Sequence, residues 1–148
     1  MRELAGSIKI NKEQDITAMK MQSDGIVFAA GTSQGLLRMY DIRFSEHIFS
    51  KQHPYMVPIK SIAFNETSKK ILSADTKTLR IYDQVNGDLF TTIEPNYDIN
   101  QLVPYRDSGL VFFPCENQRV GIVFIFNKTR DLFYPSIGAG SKVVLVFG

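Results

Sequence analysis

An all-β fold built from repeated four-stranded antiparallel units is predicted by three features of this 148-residue sequence. Similar segments return at a lag of about 42 residues. They are short and rich in Ile, Val, Phe, Tyr and Leu. Turn-forming residues stand between them. The first recurring segment reads Ile16-Thr-Ala-Met-Lys-Met21, Ile59-Lys-Ser-Ile-Ala-Phe64 and Ile99-Asn-Gln-Leu-Val-Pro104, with starts 43 and 40 positions apart. The second aligns Gly25 to Gly31 with Lys69 to Asp75 and Gly109 to Cys115. The third is the sharpest: Leu37-Arg-Met-Tyr-Asp41 and Leu79-Arg-Ile-Tyr-Asp83 are nearly identical, and the counterpart around Val120–Phe126 has lost the Tyr-Asp ending.

Each element follows from local chemistry. Asp24-Gly25, Asn65–Ser68 and Asp107–Gly109 separate first from second strands. Asn86-Gly87 after the third strand of the second unit predicts a type I′ hairpin, which needs positive φ at both residues. Fourth strands are expected at Glu46–Ser50, Asp88–Ile93 and Arg130–Tyr134, and no stretch carries a convincing helical period. A four-stranded unit of this length, its third strand ending in an aromatic-Asp pair, is the signature of a WD-repeat β-propeller blade. The prediction is a partial propeller of about three four-stranded antiparallel blades, approximately 12–53, 54–95 and 96–135, with 136–148 as a divergent tail. Tyr40 and Tyr82 are expected to pack between blades, and Asp41 and Asp83 to accept hydrogen bonds in the following turn. The Gly-His pair that many such blades carry ahead of their first strand is missing.

Seven blades would need roughly 300 residues. An arc of three leaves two apolar blade faces uncovered, so a piece of a longer protein is expected, ahead of an arc completed by partners or by self-association. The isolated chain is therefore expected to aggregate or oligomerise.

Composition narrows the function. A hydrophobic fraction of 44% and a charged fraction of 22% are those of a globular chain. The longest obvious apolar run, Val120 to Phe126, has seven residues, far short of a bilayer span, and no membrane association is expected. The mostly polar first residues lack the apolar centre of a secretory signal, so a reduced intracellular compartment is expected. A net charge of +2 predicts no general nucleic-acid affinity. One cysteine, Cys115, and two histidines, His47 and His53, exclude an intrachain disulfide and a Cys/His zinc cluster.

Catalytic patterns are thin, and an enzyme is not expected. Cys115 would have to pair with His47 or His53 across blades, and it reads better as a small buried hydrophobe. Gly138-Ala-Gly-Ser141 lacks the Lys-Ser/Thr of a phosphate loop, and Gly31-Thr-Ser-Gln-Gly35 reads as a strand connection. Asp75, Asp83 and Glu94 sit at strand ends or turns, where a capping role suffices. No cofactor, metal or small-molecule substrate is implied. Propellers place function on the loops of a rigid ring, and the upper loops gather a candidate protein-binding face: Gln34, His53, Tyr55, Met56, Lys77 and Tyr97. Lys69-Lys70 with Lys77 and Arg80 forms a modest basic cluster, expected to be a solvated face ahead of a contact with RNA phosphate.

One set of motifs is narrower than a generic propeller. His53 through Ile59, Ile59–Phe64, Ile71-Leu-Ser-Ala-Asp75, Ile81-Tyr-Asp83, Ile93-Glu-Pro95, Asp98-Ile-Asn100 and Asp107–Leu110 occur in an order and spacing that resemble the nucleolar protein ten family. The resemblance covers about residues 12–126, is most specific from Ile71 to Asn100, and ends where Asn127 to Gly148 departs from the pattern. It implies a non-catalytic WD-repeat scaffold of the nucleus and nucleolus, in small-subunit ribosome assembly and pre-ribosomal RNA processing. Other ribosome-assembly proteins are its implied partners, with contact to the pre-ribosomal RNA backbone as a further expectation. The alternative is an adaptor propeller or substrate receptor outside the nucleolus that binds a peptide through its upper-face loops.

Overall fold

Short runs of β-branched and aromatic residues become strands when both of their faces can be covered. In this protein each sheet is covered by the next. The computed structural model describes residues 14–106, 108–126 and 142–147. It contains twelve strands in three four-stranded antiparallel sheets. Sheet 1 runs β1 (Ile16–Met21), β2 (Val27–Thr32), β3 (Leu36–Asp41), β4 (His47–Gln52). Sheet 2 runs β5 (Ser61–Asn65), β6 (Lys70–Ala74), β7 (Leu79–Asp83), β8 (Leu89–Ile93). Sheet 3 runs β9 (Val103–Tyr105), β10 (Leu110–Cys115), β11 (Arg119–Phe126), β12 (Lys142–Phe147). Each is a meander, and the first strands β1, β5 and β9 approach one another in order. This is a partial β-propeller. Among the described residues, no helix is long and apolar enough to cross a membrane.

Strand register makes the repeat exact to the residue. Phe28 pairs with Tyr40 in sheet 1, Ile71 with Tyr82 in sheet 2 and Val111 with Val123 in sheet 3. Side chains alternate across the pleat, so the partner set points the other way. Leu72, Ala74, Leu79 and Ile81 of sheet 2 pack with Val111, Phe113, Val123 and Ile125 of sheet 3. Ile71 and Tyr82, on the opposite face, pack with Ala29, Leu37, Met39 and Phe49 of sheet 1.

A leading isoleucine locks each junction. Ile59 and Ile99 precede their sheets and are fully buried at 0% exposure, whereas Ile16, which leads sheet 1, is 45% exposed. Ile59 needs a partner without a side chain: a Cβ added at Gly31 would lie 2.7 Å from the Ile59 Cβ. A polar tie accompanies the apolar one. The Thr17 hydroxyl donates to the Ile59 carbonyl at 2.7 Å, and the corresponding Lys60 ammonium donates to the Ile99 carbonyl at 3.3 Å.

Four expectations change. The pairings align Val27 with Lys70, so the second repeat segment of sheet 1 is shifted one residue from the alignment by eye. Gly25 misled it: the glycine belongs to the turn, and sheet 1 has a longer first connection. The third sheet's first strand is only Val103–Tyr105, with Ile99 held by a lone bridge to Cys115. Lys142–Phe147, read as part of a tail, pairs along its whole length with β11 and is the fourth strand; the expected strand at Arg130–Tyr134 lies outside the described residues. The Asn86-Gly87 turn is not type I′, because only Gly87 has positive φ (75°). The Asp83 carboxylate governs that loop instead, accepting from the Val85 and Asn86 amides, while the Gly87 amide donates to the Asp83 carbonyl.

The junction gives a direct test. Gly31→Ala should destabilise the chain by about 1–3 kcal/mol through overpacking, and adding Ile59→Val should recover part of the loss. Urea titration of the two single variants and the double variant measures this coupling.

Candidate protein-binding face

Antiparallel meanders send alternate connections to opposite ends of a sheet. The second-to-third-strand turns and the sheet-to-sheet connections therefore share one end, here the upper one. Gln34 belongs to the β2–β3 turn, His53, Tyr55 and Met56 to the β4–β5 connection, Lys77 to the β6–β7 turn and Tyr97 to the β8–β9 connection. All six lie at this end, but not all at its surface.

His53 is the correction. Expected as an exposed contact residue, it is 0% exposed. Its Nδ1 lies 2.9 Å from Asp75 Oδ2 and its Nε2 2.7 Å from Ser73 Oγ, both buried groups. A polar ring can be buried only if both nitrogens are satisfied, and here they are. The absent Gly-His pair concealed this: Gln52 stands before the histidine, yet His53 occupies the connection ahead of β5.

Asp75 is held from three directions. Burial works to raise its carboxyl, but hydrogen bonds from His53 and from the Lys77 and Thr78 amides (both 2.7 Å) outweigh it, leaving it below its ordinary value. An ionised Asp75 can only accept, so Nδ1 carries the proton. The result is a fixed stem. The His53 amide donates to the Gly35 carbonyl at 2.8 Å, and its carbonyl accepts from the Met56 amide at 3.4 Å.

Above that stem the chain projects Tyr55 and Met56, 51% and 61% exposed, between Pro54 and Pro58. Met56 has φ of 53°, uncommon for a residue with a side chain. The Tyr55 hydroxyl donates to Glu94 at 3.2 Å, and that carboxylate raises the phenol above its ordinary value. Lys77 pairs with Asp98. Tyr97 is half-buried against the core, with the Arg119 guanidinium 5.4 Å from its ring centre. The exposed Gln34 carbonyl accepts from the Gln52 amide at 2.6 Å. Sequence reasoning placed Asp98 at this end with Tyr97 but missed Glu94 and Arg119 as neighbours of this face, since strand repeats alone do not say which loops meet.

The aromatic-Asp pairs lie elsewhere. Tyr82 sits in the cluster between sheets 1 and 2. Tyr40 stacks on Phe28 with ring centres 5.3 Å apart and meets His47 edge-on. Hydrogen bonds from Arg43 hold the Asp41 carboxyl down at about 2, and Asp83 is lowered chiefly by the Val85 amide. The basic cluster is dispersed: Lys70 pairs with Asp83 at the lower end, Lys77 pairs at the upper, and the Arg80 guanidinium donates to the Gln52 carbonyl. Cys115 is buried, its thiol pushed up by burial and donating to the Phe113 carbonyl at 3.5 Å. Among the described residues no three His, Cys, Asp or Glu side chains are grouped to hold a metal.

His53→Ala would leave Asp75 buried without its partner, a loss of about 3 kcal/mol or more, lowering Tm by roughly 6–12 °C. Because the folded Asp75 carboxyl is depressed, its contribution is complete above the unfolded value of about 3.9 and is lost as pH falls below it. Calorimetry from pH 7 down to 3 should therefore show a shallower acid decline in Asp75→Asn than in the parent chain.

The family described as Nucleolar protein 10-like, N-terminal domain, matches residues 2–127. Nucleolar protein 10 of Rattus norvegicus is 31% identical over 125 residues, 84% of this chain and 18% of its own length. Nucleolar protein 10 of Danio rerio is 36% identical over 110 residues, 74% of this chain and 15% of its own. The ribosome biogenesis protein ENP2 of Chaetomium thermophilum is 34% identical over 120 residues, 79% of this chain and 18% of its own. The chain thus spans less than a fifth of these relatives. A chain of a mitotic checkpoint complex crystal structure superposes with a TM-score of 0.74 at 15% identity, covering 97% of this chain and 41% of that one, a likeness of fold alone. The match ends one residue beyond the point where the family's motifs stop in the sequence. On the extent of that match, the chain belongs to the nucleolar protein 10-like family, within its N-terminal β-propeller domain.

Proposed function

We propose that this chain acts in nucleolar ribosome biogenesis as a non-catalytic scaffold whose upper loops dock other assembly proteins during small-subunit formation and pre-rRNA processing. Nucleolar residence and a part in ribosome biogenesis follow the family, whose members carry both in their names. The observation that carries the docking reading is the β4–β5 connection. A proline at each end and a buried histidine stem fix the backbone, so Tyr55 and Met56 are presented at little entropic cost. Rigid exposed aromatic and thioether side chains are the anchors that protein interfaces favour. Lys77, Asp98, Glu94 and Arg119 mix charge signs beside them, which suits a protein partner better than a phosphate backbone.

Sucrose-gradient sedimentation of the tagged endogenous protein tests this. Co-migration with large RNase-sensitive particles is expected, and confinement to light fractions would count against it. Tyr55→Ala with Met56→Ala should weaken particle association at least about tenfold with Tm unchanged, since neither side chain is buried.

A further inference from the structure

We propose a second docking surface on this chain, at the end opposite the upper loops. There the lower rim of sheets 1 and 2, built by the β3–β4 and β7–β8 hairpins, receives a basic, partly apolar segment of a protein partner. The two hairpins form one rim. A Cβ added at Gly87, in the β7–β8 turn, would lie 2.7 Å from the Phe49 ring of β4, so the turn of one sheet rests on the fourth strand of the other. Large apolar side chains stand out along this rim. Ile42, Phe44 and Ile48 are 52%, 64% and 46% exposed, and Val85 and Leu89 are 77% and 49% exposed. Missing neighbours do not account for this. Sheet 2 has a sheet packed on each face, and Val85 and Leu89 are open all the same. Apolar groups clustered in the open and edged by charge mark an interaction site.

Charge selects the partner. The turns at the lower end of these two sheets carry Asp24, Glu46, Glu66 and Asp88 against Arg43 and Lys69. Arg43 is tied to Asp41, its guanidinium donating to the two carboxylate oxygens at 2.9 and 2.6 Å, and Lys70 of β6 pairs with Asp83. Four carboxylates therefore face the Lys69 ammonium, and neither Glu46 nor Asp88 has an ion-pair partner among the described residues. Such a rim repels a phosphate backbone or an anionic lipid surface and attracts cations. A cleft of about 370 Å³ lies against the β3–β4 hairpin, where Phe44 and Ile48 stand beside Asp41, Glu46 and His47. It suits a lysine or arginine side chain, whose methylene stem covers apolar groups while its charged head reaches a carboxylate. Arg43 displays that chemistry within the chain, its guanidinium lying 5.8 Å from the Phe44 ring centre.

Fluorescence anisotropy of a labelled peptide alternating lysine and leucine, titrated with the 148-residue chain, tests the rim. Binding is expected, and Glu46→Lys with Asp88→Lys should weaken it at least about tenfold. The same double variant should bind a peptide alternating glutamate and leucine, which the parent chain rejects. That exchange also shows that the variant is folded. Phe44→Ser should weaken the lysine peptide comparably with Tm unchanged, because the ring is exposed. Tyr55→Ala with Met56→Ala should leave this binding as it is, which separates the lower rim from the upper face. Equal affinity of the parent chain for both peptides, or insensitivity to Phe44→Ser, would overturn the proposal. So would labelled oligouridylate that binds the parent chain but not Phe44→Ser, or a parent dimer in light scattering that Phe44→Ser converts to monomer.

Discussion

A four-stranded sheet that is apolar on both faces must be sandwiched, and every other feature of this arc follows from that requirement. Both broad faces of sheet 2 are occupied by neighbours, so a polar side chain inside a strand, such as Ser73 of β6, is buried and needs a hydrogen-bond partner, here His53. The leading isoleucine extends each contact past the strand itself, into the space above the preceding sheet. Gly31 is small because Ile59 lies on it. Ile16, the first residue of β1, is the same part left exposed, and among the described residues no preceding sheet receives it.

The junctions solve one packing problem with different chemistry. At the end of β6 the space is filled by Ser73 and Asp75 bridged by His53, a buried polar set that works because each of its hydrogen-bonding groups is engaged. The corresponding positions of β10 are Phe113 and Cys115, with the Phe113 ring over Gly121, where an added Cβ would lie 2.0 Å from it. In sheet 1 the Asp75 position is Thr32, whose hydroxyl accepts from the Leu36 amide and donates to Gln14. Polar and apolar fillings are interchangeable when each is complete, and the polar one additionally fixes a loop.

Much of the fold was readable because the third strands of sheets 1 and 2 carry nearly the same apolar and aromatic pattern. Leu37–Asp41 and Leu79–Asp83 announce the period almost unaided. The fourth strand of sheet 3 was not readable. Its residues carry no repeat motif, and their pairing with β11 bridges a long stretch of sequence. The upper face was half legible: loop membership follows from topology, so Gln34, Tyr55, Met56, Lys77 and Tyr97 fell at the right end. Depth does not follow from topology, and a histidine in a polar loop looks the same in sequence whether it meets solvent or, like His53, a buried carboxylate.

The leading isoleucine also gives the arc a direction of growth. Contacts within a sheet join residues a hairpin apart, while contacts between sheets join residues about one repeat apart, so nothing in sheet 1 or sheet 2 must wait for distant chain. Ile59 finds its seat only once Gly31 and Leu37 are in place, and Ile99 only once sheet 2 exists. A polypeptide leaving the ribosome amino-terminus first meets these conditions in order. Each completed sheet offers the surface on which the next one packs.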